Sequence, residues 1–214
     1  MRELICKKLG MSRIFREDGL AIPVTVIEAG PNVVVSLRDV EKDGYVAAQV
    51  GFGERRKNLF NKAQLGQFEK AGVAPLRNLC EIKYEDELKV GDTLTADLFK
   101  IGDIVDVMAQ SKGLGFQGVV RRHGFKGGQR THGQSDRLRA PGSIGQSSYP
   151  SRVFKGVRMG GHMGAEKVTV IGLQVVRVTP EKNIILLSGA TPGKKGTVLR
   201  LRSSSRVKNA SFVA

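Results

Sequence analysis

Apolar and polar positions in the first hundred residues alternate in short runs rich in β-branched side chains. Residues 20–28, with Ile22, Val24, Val26 and Ile27, and residues 32–38, with Val33, Val34 and Val35, are bounded by turn residues and predict strands. Asp18-Gly19 stands between the first of these and the run at 12–16, which predicts a hairpin. Residues 45–50 and 101–108 continue the pattern, and Gly91-Asp92 marks a turn before a further run at 93–99. One segment, 61–71, has helical spacing instead, with Leu65 and Phe68 three apart and Gly72 in place to end it. After a long interruption the alternation returns at 168–178, followed by a turn at 179–183 and an apolar run at 184–187.

Many short strands punctuated by Gly and Pro, with one short helix, predict a mainly β fold built on a small β-barrel. The expected division has four parts. Residues 1–110 form the first part of the barrel body, and 166–202 its remaining strands. Residues 111–165 form a long, largely irregular basic extension inserted between two strands, and 203–214 a basic tail. The body amounts to roughly 150 residues, enough to bury a core of its own.

Charge sharpens this division. The chain of 214 residues carries 35 Lys and Arg against 20 Asp and Glu, a formal net charge of +15. The excess lies entirely beyond residue 110. Within 111–165, ten basic side chains face a single carboxylate, Asp136. Thirteen of the 27 glycines also fall there, and 127–150 offers only Leu138, Ile144 and Tyr149 as large apolar or aromatic residues. Such a stretch cannot bury enough apolar area to offset an ordering cost of roughly 1–2 kcal/mol per residue. It is expected to be loose alone and to order against a polyanion, with arginines meeting phosphates and glycines permitting close backbone approach.

No apolar run approaches the ~18–20 residues of a membrane span. The first eight residues lack the apolar core of a secretory signal, so a cytoplasmic location is expected. Cys6 and Cys80 lack metal-ligand spacing and are expected as small buried apolar residues.

Several chemical motifs are weaker than they look. Gly113, Gly115 and Gly118 match the dinucleotide fingerprint, but 119–124 is too β-branched and too short for the helix that motif requires, and no βαβ repeat follows. Gly127-Gly128-Gln129 is the tripeptide of peptide-release factors, yet the chain has no room for the rest of one. His123, His132 and His162 are the only histidines, and their spacing fits no zinc site. Asp136 is expected to be held by neighbouring arginines, which leaves no carboxylate for a catalytic triad. The expectation is therefore no catalytic residue, no metal and no cofactor. The basic groups, Lys112, Arg121, Arg122, Lys126, Arg130, Arg137, Arg139, Arg152, Lys155 and Arg158, are the expected phosphate contacts, with His123, His132, His162 and Gln146 as further RNA contacts. Phe116, Phe125, Tyr149 and Phe154 supply flat faces among them. A solvated basic face and DNA binding are the alternatives, the latter without a recognition-helix or zinc-finger pattern.

The order of motifs resembles a known family. Gly115-Phe116-Gln117-Gly118-Val119, Arg121-Arg122-His123-Gly124-Phe125, Thr131-His132-Gly133 and Arg139-Ala140-Pro141-Gly142-Ser143-Ile144-Gly145-Gln146 resemble the signature of the bacterial large-subunit ribosomal protein L3 family. Val153-Phe154-Lys155-Gly156, Met159-Gly160-Gly161-His162-Met163-Gly164 and the opening Lys8-Leu9-Gly10-Met11-Ser12-Arg13-Ile14-Phe15 extend it. The resemblance implies a structural, non-enzymatic constituent of the large ribosomal subunit, with a barrel of the kind also found in translation factors. It further implies binding to 23S rRNA near its 3′ end, a role early in subunit assembly, and neighbours L14 and L19. The extension would span 113–164 and reach toward the peptidyl-transferase centre with its tip in 127–146. Some relatives carry a methylated glutamine two residues after the position of Gln146; Ser148 stands there in this chain, so the modification is not carried over.

Overall fold

Four consecutive residues at the start of the first strand, Glu3 to Cys6, are buried, so both faces of that strand are covered. Leu4 and Cys6 join one apolar cluster and Ile5, between them, joins another. Successive side chains on a strand point to opposite faces, which makes β1 (Glu3–Phe15) a wall common to two cores. The structure is a computed structural model and describes residues 2–84 and 88–204. After β1 the chain forms β2 (Ala21–Glu28), β3 (Asn32–Arg38), the short helix α1 (Val40–Asp43), β4 (Ala47–Glu54), α2 (Lys62–Ala71), β5 (Leu76–Ile82), β6 (Thr93–Leu94) and β7 (Ile104–Gln110). It continues through β8 (Gly115–Gln117), α3 (Val119–His123), β9 (Gly161–Met163), β10 (Lys167–Thr179), β11 (Ile184–Ser188) and β12 (Val198–Ser203).

β1, β12, β7, β10, β11 and β2 close in that order into an antiparallel barrel. Its interior is filled by alternating residues of its strands, among them Val105, Val107 and Ala109 of β7 and Leu199 and Leu201 of β12. The mainly β fold with a closed barrel is therefore as the alternation predicts. The barrel, however, takes only β1, β2 and β7 from the first 110 residues. β3 to β6 build a separate sheet in the order β5-β4-β3-β6. Alternation reports which face of a strand is covered, not which neighbour it pairs with.

Two further differences have local causes. The run at 93–99 is a strand for two residues only, then a 3-10 turn over Ala96–Leu98. Ala96 and Phe99 both pack in the barrel cluster; three residues apart, they would face opposite sides of a strand, whereas a 3-10 turn brings them to one side. β12 runs to Ser203, and Ser204 N–H donates to the Ile104 carbonyl at 3.0 Å. The first residues assigned to the basic tail are thus part of the sheet; 205–214 lie outside the described residues.

The second sheet is attached through Asn32, which is fully buried. Its side-chain oxygen accepts the Ile5 N–H at 3.2 Å and its amide donates to the Ile5 carbonyl at 3.0 Å. The pairing of β1 with β2 begins only at Lys7 and Glu28, so Ile5 has lost the strand on that side. One amide takes the place of the missing strand. Helix α2 begins after Asn61, whose N–H donates to Gln64 Oε1 at 3.3 Å, and ends at Gly72 with φ 68°. It buries Phe68 against Val35 and Leu76.

The body's buried carboxylates are matched internally. Buried Asp103, Asp106 and Glu3 pair with Arg2, Arg202 and Arg200, respectively. Cys6 is buried inside the barrel cluster and Cys80 is half-buried; both thiols are free. β7 and β10 pair as far as Gln110 and Lys167. The chain divides there into two compact units, Met1–Gln110 with Lys167–Ala214, and Ser111–Glu166.

Candidate nucleic-acid interface

The unit Ser111–Glu166 starts and finishes as an antiparallel ribbon. Ser111 N–H donates to the Glu166 carbonyl at 2.8 Å and Leu114 N–H to the Met163 carbonyl at 3.0 Å. β8 then pairs with β9, Phe116 opposite His162. The ribbon depends on Gly164: its φ is 75°, and a Cβ there would lie 2.1 Å from the Lys112 carbonyl oxygen. No side chain fits that position.

The stretch 119–124, too short for the helix that a dinucleotide site requires, makes a single helical turn, α3. Gly124 ends the turn with φ 73°, and Val119 is buried. Anchoring of one apolar side chain outweighs the small helical penalty of two valines over so short a span. A single turn between antiparallel strands is still not the helix of a dinucleotide site. Arg122 Nη1 donates to the Met159 carbonyl at 2.9 Å, and His123 Nε2 meets the same oxygen at 3.0 Å, which requires its proton on that nitrogen. A Cβ on Gly161 would lie 2.6 Å from Arg122 Nη1, so the guanidinium lies directly over this glycine. Two residues expected to contact RNA are thus partly engaged within the unit, a role that separation by 36 and 37 positions from Met159 concealed.

Beyond α3 the path to 160 contains no strand or helix. It is held by scattered turns: Gly128 N–H to the Leu138 carbonyl at 2.8 Å, Ala140 N–H to Arg137, and the Ser143 hydroxyl to the Gly145 carbonyl at 2.9 Å. Val119 is the one buried residue of the unit among the described residues. Ordering by an apolar core is therefore minimal here.

The electrostatics contrast with the body. Lys112, Arg121, Arg122, Lys126, Arg130, Arg137, Arg139, Arg152, Lys155 and Arg158 are all exposed, as are His132, His162 and Gln146, while His123 is half-buried. Among the described residues none of these ten cations is in an ion pair. Asp136, expected to be held by arginines, instead accepts, among the described residues, only the Ser135 hydroxyl at 3.3 Å. Arg152 lies with its guanidinium carbon 5.6 Å from the centroid of Phe154. Phe116 and Tyr149 are 79% and 85% exposed. Among the described residues no group of three His, Cys, Asp or Glu side chains could hold a metal ion, and no helix is long and apolar enough to cross a membrane. An array of unpaired cations and uncovered rings on a backbone rich in glycine can neutralise converging phosphates and offer flat surfaces to bases.

Comparison with known proteins agrees with the motifs. Residues 78–183 match the profile of a family described as ribosomal protein L3. The chain is 50% identical over 207 residues to the large ribosomal subunit protein uL3 of Chloroherpeton thalassium, covering 95% of this chain and 100% of the relative. It is 49% identical over 209 residues to uL3 of Chlorobaculum parvum, covering 96% and 100%. It is likewise 49% identical to uL3 of Stutzerimonas stutzeri over 206 residues, 96% of this chain and 98% of the relative. With half the residues shared over nearly its full length, the chain belongs to the ribosomal protein L3 family.

Proposed function

We propose that this protein binds large-subunit rRNA through the unit Ser111–Glu166, with the β-barrel body as its seat on the subunit surface. As a member of its family it is a structural protein of the large ribosomal subunit, cytoplasmic with that subunit, and not an enzyme. The observation that carries the RNA reading is the set of ten exposed cations without ion pairs, beside a body whose buried carboxylates are matched by arginines. A site for a small acidic ligand would need a few convergent cations in a concave pocket. Here the cations are strung along an irregular chain, which suits a partner with many phosphates. The finer parts of the proposal rest on the family resemblance: contact near the 3′ end of 23S rRNA, action early in assembly, a tip in 127–146 directed to the peptidyl-transferase centre, and L14 and L19 as neighbours.

The test is twofold. In sedimented cell extract the chain should migrate with large subunits and be released by nuclease or high salt; a free soluble pool alone refutes the reading. In binding to protein-free large-subunit rRNA, log K should fall linearly with log salt, by about 0.7–0.9 per phosphate contact. Replacing Arg130, Arg137 and Arg139 with Gln should reduce that slope by about 2–3.

A further inference from the structure

We propose that Phe116 is a stacking platform for one unpaired nucleobase, with His162 alongside it. The inference rests on the RNA reading above and assigns a ligand group other than the phosphates that the cations meet. The register of β8 and β9 sets Phe116 opposite His162, which puts both side chains on one face of the ribbon. Both are exposed, Phe116 to 79%. The ring is nevertheless seated. A Cβ on Gly160 would lie 3.3 Å from Phe116 Cε1, 3.4 Å from its Cζ and 3.3 Å from the Gln117 carbonyl oxygen. The far end of the ring therefore rests over the backbone at Gly160, where no side chain lifts it.

The neighbouring glycine divides the chemistry between two faces. A Cβ on Gly161 would point at Arg122, and side chains alternate along an extended segment. Residues 160 and 162 share the aromatic face, and the guanidinium lies on the other. Successive glycines thus keep a ring on one side of the ribbon and a cation, tied to the Met159 carbonyl, on the other. A phosphate gains nothing from an uncharged phenyl ring, whereas every base has a π-face that stacks on it without regard to sequence. A cross-strand aromatic pair on a two-stranded ribbon is suited to one splayed base of a loop or bulge.

The full chain is tested against protein-free large-subunit rRNA, with Phe116→Leu, Phe116→Trp and the triple Arg130, Arg137 and Arg139→Gln variant. Phe116→Leu keeps an apolar side chain and removes the flat face. It should weaken binding about 5- to 150-fold, the span for loss of one base stack, without changing the salt slope. Phe116→Trp should recover most of the loss, and chemical probing should find one base protected by the wild-type chain and exposed with the Leu variant. Wild-type affinity for Phe116→Leu, while the triple variant still weakens binding, overturns the platform and leaves the RNA reading intact. Failure of both to weaken binding overturns both. Equal losses for Leu and Trp, or a changed slope, would make the ring a packing element of the ribbon and also overturn the proposal.

Discussion

Replacing Asn32 with Ala removes one side chain and strands two main-chain groups. Asn32 satisfies the N–H and carbonyl of Ile5 on the side where β2 has ended, at 3.2 and 3.0 Å, and both residues are buried. A buried polar group left without a partner costs about 1–3 kcal/mol. Two such groups put the loss at about 2–6 kcal/mol, less whatever a water entering the gap restores. For a chain of this size each kcal/mol lowers the melting temperature by about 2–4 °C, so Asn32→Ala should melt about 4–24 °C lower. Asn32→Asp should be worse near neutral pH, because it sets an acceptor against the Ile5 carbonyl and buries a charge. Burial raises the folded-state pKa of that carboxyl above its unfolded value. Its deficit relative to wild type should therefore shrink as pH falls through the folded pKa and the group takes up a proton. The assay is urea unfolding with thermal melting of the purified chain across pH 4–8. A midpoint for Asn32→Ala within ~0.5 kcal/mol of wild type, the range of an ordinary surface substitution, would refute the reasoning. Ile5 would then have to be satisfied in some other way.

Three shorter predictions follow from the same geometry. Gly164→Ala should open the ribbon of the basic unit, and hydrogen exchange at Leu114 N–H should speed up by about tenfold or more. Unchanged protection there would mean that the backbone relieves a 2.1 Å approach without opening. Asp106→Ala should destabilise the body by about 1–3 kcal/mol, below the full cost of breaking a buried pair because Arg202 is partly exposed; denaturant titration measures it. Burial pushes the Cys6 thiol far above the usual thiol range. A thiol-reactive probe should therefore modify at most one cysteine, Cys80, in the native protein, and reach Cys6 only after denaturant is added; rapid labelling of both at pH 8 would contradict the barrel interior assigned to Cys6.

Much was legible in the chain because the properties concerned are local or additive. Net charge is a sum over residues, so the concentration of cations between 111 and 165 needs no coordinates. Alternation marks strands wherever one face is buried, and helix α2 announces itself through Leu65, Phe68 and Gly72. The motif order from Gly115 to Gly164 was enough for family membership. What lay hidden depends on residues far apart in the chain. β5 has no alternating signature, since Leu76, Leu79 and Ile82 stand three apart; its place against β4 comes from pairing with another segment. The partition of strands between barrel and second sheet is likewise a choice of partners, to which a two-residue period is blind. Asn32 reads as the first residue of a strand run and proves to be a substitute strand for Ile5. Arg122 and His123 read as free cation and ring, and the fold turns both toward the Met159 carbonyl. Composition thus determined which residues could meet a polyanion and which could bury themselves; only the tertiary structure decided which donors were already engaged, because a hydrogen bond is set by where two groups meet in space and not by what either one is.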